Sequence, residues 1–323
     1  MGKKTNKLFA LGTVSFLTAI GISYLSKKTA SFVVDSALNR ELPPLLKGKM
    51  HPNSDVVPKE MKDSVKKLSE KLRNSADERI EISAHDGIKL IGHWKHSSDS
   101  RRIVIAFHGW RSAWNKDFCG ISNFLEDEKC DVLYVEQRGH GESEGEYIGF
   151  GLLERFDCLR WINHVNSQNT NNLPIYLVGI SMGASTVLMA SGSEMPSNVK
   201  GIIADCGFTS PKEIFSHVAR NKFKIPLLFR QNLVDEYCKS KINFASDGFS
   251  TLTAMKKCSV PVLFIHGEND TFVPIDMTYQ NFKACRAEKM LFTVPCATHA
   301  LSYVYDKDGY EKNVREFFQK YDF

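Results

Sequence analysis

The sequence predicts an α/β protein: a mostly parallel central sheet of about eight strands with helices on both faces. Three observations carry this. Short apolar runs rich in Val, Ile and Leu recur between longer helical stretches, and strands that are apolar throughout belong to parallel sheets whose crossover helices cover both sides. A Gly-x-Ser-x-Gly sequence stands where one such run passes into a helix. The 323 residues suffice to bury one large core.

In chain order, the beginning differs in kind from the rest. Leu8 to Leu25 carries no charge and is flanked by Lys3, Lys4 and Lys7 before it and by Lys27 and Lys28 after it. At about 18 residues the run is just long enough to cross a bilayer, although Gly12, Thr13, Ser15, Thr18, Gly21 and Ser23 dilute it. Residues 1–28 are therefore read as an uncleaved membrane anchor. A cleaved signal peptide fits less well because no small-x-small site follows and two lysines stand where cleavage would fall; an interfacial helix is the third reading. The lysine asymmetry places the N-terminus inside and the remainder outside the cell membrane. Residues 29–77 read as a connector, broken by Pro43, Pro44, Pro52 and Pro58 and ending in one amphipathic helix whose face is Met61, Val65, Leu68 and Leu72. Residues 1–78 hold 14 Lys or Arg against 8 Asp or Glu, leaving 28 against 29 in the remainder. An anionic membrane surface accounts for that excess better than nucleic acid, for which no basic motif appears.

The domain spans 78–323. His85, Asp86 and Gly87 predict a hairpin turn between Arg79 to Ser83 and Ile88 to Lys95, which adds antiparallel strands at one edge. Strand runs follow at Ile103 to Phe107, Val132 to Val135, Ile175 to Val178, Gly201 to Ala204, Val262 to Ile265 and Leu291 to Val294. Helical stretches separate them, among them Leu152 to Val165 and Ile275 to Cys285.

The sequence Gly179, Ile180, Ser181, Met182, Gly183 directly follows the run Ile175 to Val178 and precedes Ala184 to Ala190. Glycines on either side of the serine permit a sharp elbow that holds its hydroxyl out for attack. A serine needs a base, and the base an orienting acid. Only His217, His266 and His299 follow Ser181. His266 sits inside an apolar run and reads as a packed strand residue; His217 lies in a helical stretch ahead of the best acid. His299, on a loop after the last strand, is the preferred base. Asp270 is the preferred acid because it follows a buried strand at its C-terminal edge, where open α/β sheets build their sites; Asp205 and Glu268 are rivals that read equally well as edge or turn carboxylates. An oxyanion hole needs two backbone donors. One is Met182 N–H, next to the serine; the other comes from His108, Gly109, Trp110. Trp110 N–H is preferred there, although its indole fits equally as a pocket wall.

These blocks carry a resemblance. His108-Gly109, then Arg138-Gly139-His140-Gly141-Glu142-Ser143, then the Ser181 elbow, then Asp270 and His299, in that order, resemble the α/β-hydrolase superfamily over roughly Glu78 to Phe323. Within it the chain is similar to bacterial membrane-anchored hydrolases of the serine aminopeptidase-like and Bem46-like groups. Relatives usually carry aspartate where this chain has Glu136, a structural position. The resemblance implies a small helical lid, here at about 208–258, where Phe208, Phe215, Phe223, Phe229, Phe244 and Phe249 suggest an apolar acyl-binding wall; packing of crossover helices explains the same residues. It implies a serine hydrolase acting on a small-molecule ester or acyl substrate through an acyl-enzyme, without cofactor. Amide cleavage, acyl transfer and thioester cleavage use the same machinery, and a non-catalytic binding module is the reading from another class.

Two further patterns point away from metal chemistry. The eight cysteines show no C-x-x-C spacing and read as buried apolar residues. His93 and His96 fall on opposite faces of their strand.

Overall fold

The hairpin forms where the turn residues place it. In the computed structural model, which describes residues 23–42, 59–221 and 230–322, β1 (Glu78–Ser83) and β2 (Lys89–Lys95) pair antiparallel. Gly87 sits between them at φ 86°, a conformation that any side chain would strain. The sheet continues with β3 (Arg102–Phe107), β4 (Cys130–Glu136), β5 (Ile175–Ile180), β6 (Val199–Asp205), β7 (Val262–Gly267) and β8 (Lys289–Val294). Its eight strands lie in the order β1-β2-β4-β3-β5-β6-β7-β8. Only the two pairings made by β2 are antiparallel; the rest are parallel. After β3 the chain adds β4 on one side and β5 on the other, so the connections leaving β3 and β5 diverge and open a crevice beyond their C-terminal ends.

The described helices are α1 (23–38), α2 (Lys59–Asn74), α3 (Trp114–Asp117), α4 (Ser122–Asp127), α5 (Glu154–Gln168), α6 (Met182–Ala190), α7 (Pro211–Asn221), α8 (Gln231–Ile242), α9 (Thr251–Met255), α10 (Ile275–Ala284), α11 (Ser302–Tyr305) and α12 (Lys307–Tyr321). Every residue of β3, β5 and β7 is buried, which is why those strands read as unbroken apolar runs. Their side chains still alternate. Ile103, Ile105 and Phe107 pack with Leu133 and Val135 against Trp161 of α5 on one face. Val104, Ala106, Tyr134 and Val178 pack against Phe317 and Phe318 of α12 on the other. Seven of the eight cysteines are buried, and only Cys296 is exposed.

Two buried polar groups fasten the loops around β4. Glu136 accepts from His93 Nε2 of β2 at 3.0 Å and from the Glu142 N–H, so the longer carboxylate spans from the sheet to the following turn. Arg138 reaches both carboxylate oxygens of Asp157 on α5 at 2.6 Å and Asp86 in the hairpin turn at 2.8 Å. Burial opposes its charge, but the hydrogen bonds it donates to Asp157 and Asp86 outweigh that and hold its pKa above the ordinary arginine value.

The stretch preceding the domain is more than a spacer. In α1, Ala30, Val33, Val34, Ala37 and Leu38 are buried, a helical stripe that packs with Phe150, Phe208, Phe215 and Met277 in a third apolar cluster. The expected helix before the domain is present as α2. Leu72 is buried and Val65 packs beside it, whereas Leu68 points outward, 38% exposed. Asn115 of α3 donates to the Ser69 carbonyl at 3.2 Å and so ties α2 to the domain. Among the described residues no helix is long and apolar enough to cross a membrane. Most of the uncharged run 8–25, the four prolines of the connector, and residues 222–229 of the expected lid lie outside the described residues. The described part of that excursion forms α7, α8 and α9, with Phe208 and Phe215 buried in the third cluster and Phe244 and Phe249 packed at its margin.

Candidate active site

Ser181 occupies the turn from β5 into α6 at φ 55°, ψ −113°, a sparsely populated conformation for a residue with a side chain. The neighbouring glycines make room for it. A Cβ on Gly183 would strike the Phe107 carbonyl of β3, and one on Gly179 would strike the backbone of Gly183. Close packing of the elbow on the sheet therefore requires glycine at both positions.

The loops after β7 and β8 bring the other two groups to it. His299 Nε2 lies 2.9 Å from Ser181 Oγ, and His299 Nδ1 lies 2.7 Å from Asp270 Oδ2. All three side chains are buried. The other oxygen of Asp270 accepts the N–H groups of Phe272 and Val273 at 2.8 and 2.9 Å, which fixes the carboxylate plane. Burial would raise the Asp270 pKa, but the His299 and His266 rings beside it prevail and hold it well below the usual carboxylate range. An ionised Asp270 keeps the proton of His299 on Nδ1 and leaves Nε2 to accept from the serine hydroxyl.

The rivals are engaged elsewhere. The Asp205 carboxylate accepts from Ser302 Oγ at 3.1 Å, and its backbone carbonyl takes the Ser181 N–H at 2.8 Å; burial pushes its pKa up to about 6. Glu268 is exposed and accepts from Thr293 at 2.9 Å. His217, on α7, bonds the Thr271 carbonyl at 3.0 Å. His266 is fully buried on β7, as expected of a packed strand residue, yet it also faces the acid. Its Nε2 lies 2.9 Å from the Val273 carbonyl and 3.3 Å from Asp270 Oδ2, and Nδ1 lies 2.7 Å from Thr278 Oγ1. Because Nε2 meets only acceptors, it carries the proton and supports the same carboxylate oxygen that His299 meets.

Around the serine the backbone donors divide cleanly. Gly109 N–H donates to Asp117 Oδ2 at 2.7 Å, Arg111 N–H to His140 Nε2 at 2.9 Å, and Ser181 N–H to Asp205. The N–H groups of Trp110 and Met182 donate to no acceptor among the described residues. Met182 is the first residue of α6, where the helix leaves its N–H unbonded and its dipole favours negative charge. Sequence reasoning did not single out Asp117, and it named His140 only as part of the 138–143 block, without a role. Burial pushes the His140 pKa down to about 3, so the ring is neutral; its Nδ1 donates to the Arg138 carbonyl at 3.0 Å and its Nε2 accepts.

Beside this group lies an apolar cavity of about 40 Å³. Its walls include Trp110, Phe150, Phe215, Val218 and Phe272. The Phe272 ring stands 4.9 Å from that of His299, so the cavity adjoins the hydrogen-bonded trio. For a metal, the group of potential ligands among the described residues is Cys206, Asp270 and His299, with donor atoms within 4.8 Å of one another. Two of these are already bonded to each other, and burial holds the Cys206 thiol protonated, its pKa well above the ordinary value. The arrangement fits nucleophilic attack by Ser181 rather than metal coordination.

Residues 98–241 match the family model described as serine aminopeptidase, S33. The chain is 27% identical over 231 residues to the uncharacterized protein YqkD of Bacillus subtilis, covering 72% of this chain and 75% of that one. It is 24% identical over 256 residues to the protein Bem46 of Schizosaccharomyces pombe, covering 77% and 79%. Among solved structures, the Pyrococcus furiosus esterase Pf2001 superposes with a TM-score of 0.59 at 22% identity, covering 80% of this chain and 96% of that one. At that identity the likeness speaks to the fold.

Proposed function

We propose that this chain, an α/β-hydrolase of the Bem46-like kind, is a serine esterase that cleaves carboxylic esters of small or medium acyl groups. The observation that carries the reading is the relay from Asp270 through His299 to Ser181, with hydrogen bonds of 2.7 and 2.9 Å. His299 takes the proton as Ser181 Oγ attacks the carbonyl carbon, and Asp270 stabilises the imidazolium that forms. The N–H groups of Met182 and Trp110 hold the developing oxyanion. His299 then protonates the departing alcohol. Water, activated by the same ring, attacks the acyl-enzyme and releases the acid. No step calls for a cofactor.

Amide cleavage is the second reading, favoured by the family description that matches residues 98–241. A carboxylate is the strongest partner for a free α-amino group, and the described residues lining the apolar cavity include none. The expected result is turnover of p-nitrophenyl butyrate with no release of p-nitroaniline from amino-acid anilides. Anilide turnover at the rate of the ester would replace the esterase by an aminopeptidase.

The same proposal takes the uncharged run 8–25 as a single-pass anchor with the hydrolase domain outside the cell membrane. The lysine asymmetry, Lys3, Lys4 and Lys7 before the run against Lys27 and Lys28 after it, supports the orientation, and Tyr24 and Leu25, 62% and 49% exposed at the start of α1, support the anchor. Protease added to intact cells should digest the domain; a protected domain would put it on the inner side.

A further inference from the structure

We infer that α1 is the specificity wall of the acyl subsite, and that Val33 and Ala37 set how long an acyl chain the site accepts. The inference rests on the esterase reading and adds to it a segment that precedes the matched family region, residues 98–241. Val33, Ser36 and Ala37 line the apolar cavity from one side, and Ile214, Phe215 and Val218 of α7 line it from the other. Positions 33, 36 and 37 share one helical stripe, so the wall is a continuous strip of α1.

The strip presents hydrocarbon because its polar groups are turned into the protein. Ser36 Oγ donates to the Phe32 carbonyl at 2.6 Å within the helix, and the Trp110 indole donates to the Ala37 carbonyl at 3.0 Å. Neither is offered to a ligand, and an acyl chain is the part of an ester that such a surface binds.

The wall is also held fixed. The last carbonyls of a helix have no partner within it. Here the Arg111 guanidinium takes the Ser36 carbonyl of the last turn at 3.1 Å and, just past the helix, the carbonyls of Asn39 at 2.5 Å and Arg40 at 2.7 Å. Arg40 in turn donates to the carbonyls of Gly141 and Ser143 at 2.6 and 2.8 Å, and Lys241 of α8 pairs with Asp35 at 3.0 Å. Trp110 and Arg111 thus anchor α1 from the turn that begins at Gly109, where an added Cβ would lie 3.4 Å from the Ser181 Cβ, the turn to which the esterase reading assigns the second oxyanion donor. Acyl wall and oxyanion turn form one unit, and a rigid wall discriminates by length.

The test uses the full chain and p-nitrophenyl esters from acetate to decanoate, with fluorophosphonate labelling of each variant as an independent readout of Ser181. Ala37→Leu fills the cavity. It should move the preferred ester to a shorter acyl group and lower kcat/KM for octanoate by about tenfold or more, since each methylene denied burial is worth about fourfold. The effect is read as the ratio of octanoate to acetate kcat/KM, and persistent fluorophosphonate labelling shows that Ser181 is still a working nucleophile in the variant. Val33→Ala opens the same wall and should raise the relative turnover of the longer esters; it decides the matter alone if Ala37→Leu does not fold. Chain-length profiles that superimpose on wild type, with Ser181 labelled normally, would overturn the role of α1 and leave the esterase reading standing. Wild-type protein unlabelled at Ser181 would overturn both.

Discussion

Replacing Ser181 with alanine is expected to lower kcat for ester hydrolysis by about 10⁵-fold while leaving the fold intact. The size of the effect follows from the relay: without Oγ, His299 has no nucleophile to activate, and what remains is the binding energy and the two N–H donors. Little stability should change. Alanine at φ 55° relieves none of the serine's backbone strain, and the bond lost is the one to His299 at 2.9 Å, worth about 1 kcal/mol. A thermal melt of the same preparation, shifted by no more than a few degrees, separates lost chemistry from lost folding. Retention of more than a tenth of the activity would mean that Ser181 is not the nucleophile.

Asp270→Asn should cost about 10³ to 10⁴-fold in kcat. An amide in place of the carboxylate offers its N–H₂ to His299 Nδ1, reverses the tautomer, and turns a donor N–H toward Ser181 Oγ. It also removes the charge that faces His266 Nε2 at 3.3 Å. Asp205→Asn is the contrasting control and should stay within about tenfold of wild type, because an amide oxygen still accepts the Ser302 hydroxyl. The two acids also act oppositely on stability. The Asp270 pKa lies below its unfolded value, so its stabilisation is present above about pH 4 and is lost on acidification. The Asp205 pKa is raised to about 6, so its ionisation removes roughly 2 to 3 kcal/mol of stability as pH rises from about 4 to 6. Asp205→Asn should abolish that loss and make the protein more stable than wild type at pH 8 in chemical denaturation. An Asp205→Asn variant as inactive as Asp270→Asn would reverse the assignment of the acid.

The parts legible in the sequence are those in which local chemistry and tertiary role coincide. β3, β5 and β7 are buried on both faces, so they read as continuous apolar runs. Gly87 marks its turn because only glycine is at ease there. Gly179 and Gly183 flag the elbow because a side chain at either would collide with the backbone. That Asp270 and His299 come together beside Ser181 is legible from position, each following a strand at the C-terminal edge of the sheet.

Other parts depend on contacts between distant residues. Asp117 matters through the Gly109 N–H eight residues away, and His140 through the Arg111 N–H 29 residues away; neither pairing leaves a periodic trace. α1 leaves little trace in the sequence because its buried stripe begins with Ser26 and Ala30 and includes Ser36 and Ala37, small residues that carry weak hydropathy, and because prolines follow it. Its meaning lies in α7, which faces it across the cavity nearly two hundred residues later in the chain. In α2 the sequence stripe includes Leu68, which the described residues leave 38% exposed; apolar spacing alone does not say how wide a groove the helix meets.

The measurement that bears most directly on the central claim is mass spectrometry of the full chain after reaction with a fluorophosphonate, with the adduct mapped to its peptide. The account predicts one adduct, on Ser181, absent in Ser181→Ala and strongly slowed in His299→Ala. A folded wild-type chain that carries no adduct, or carries it on another residue, would contradict it.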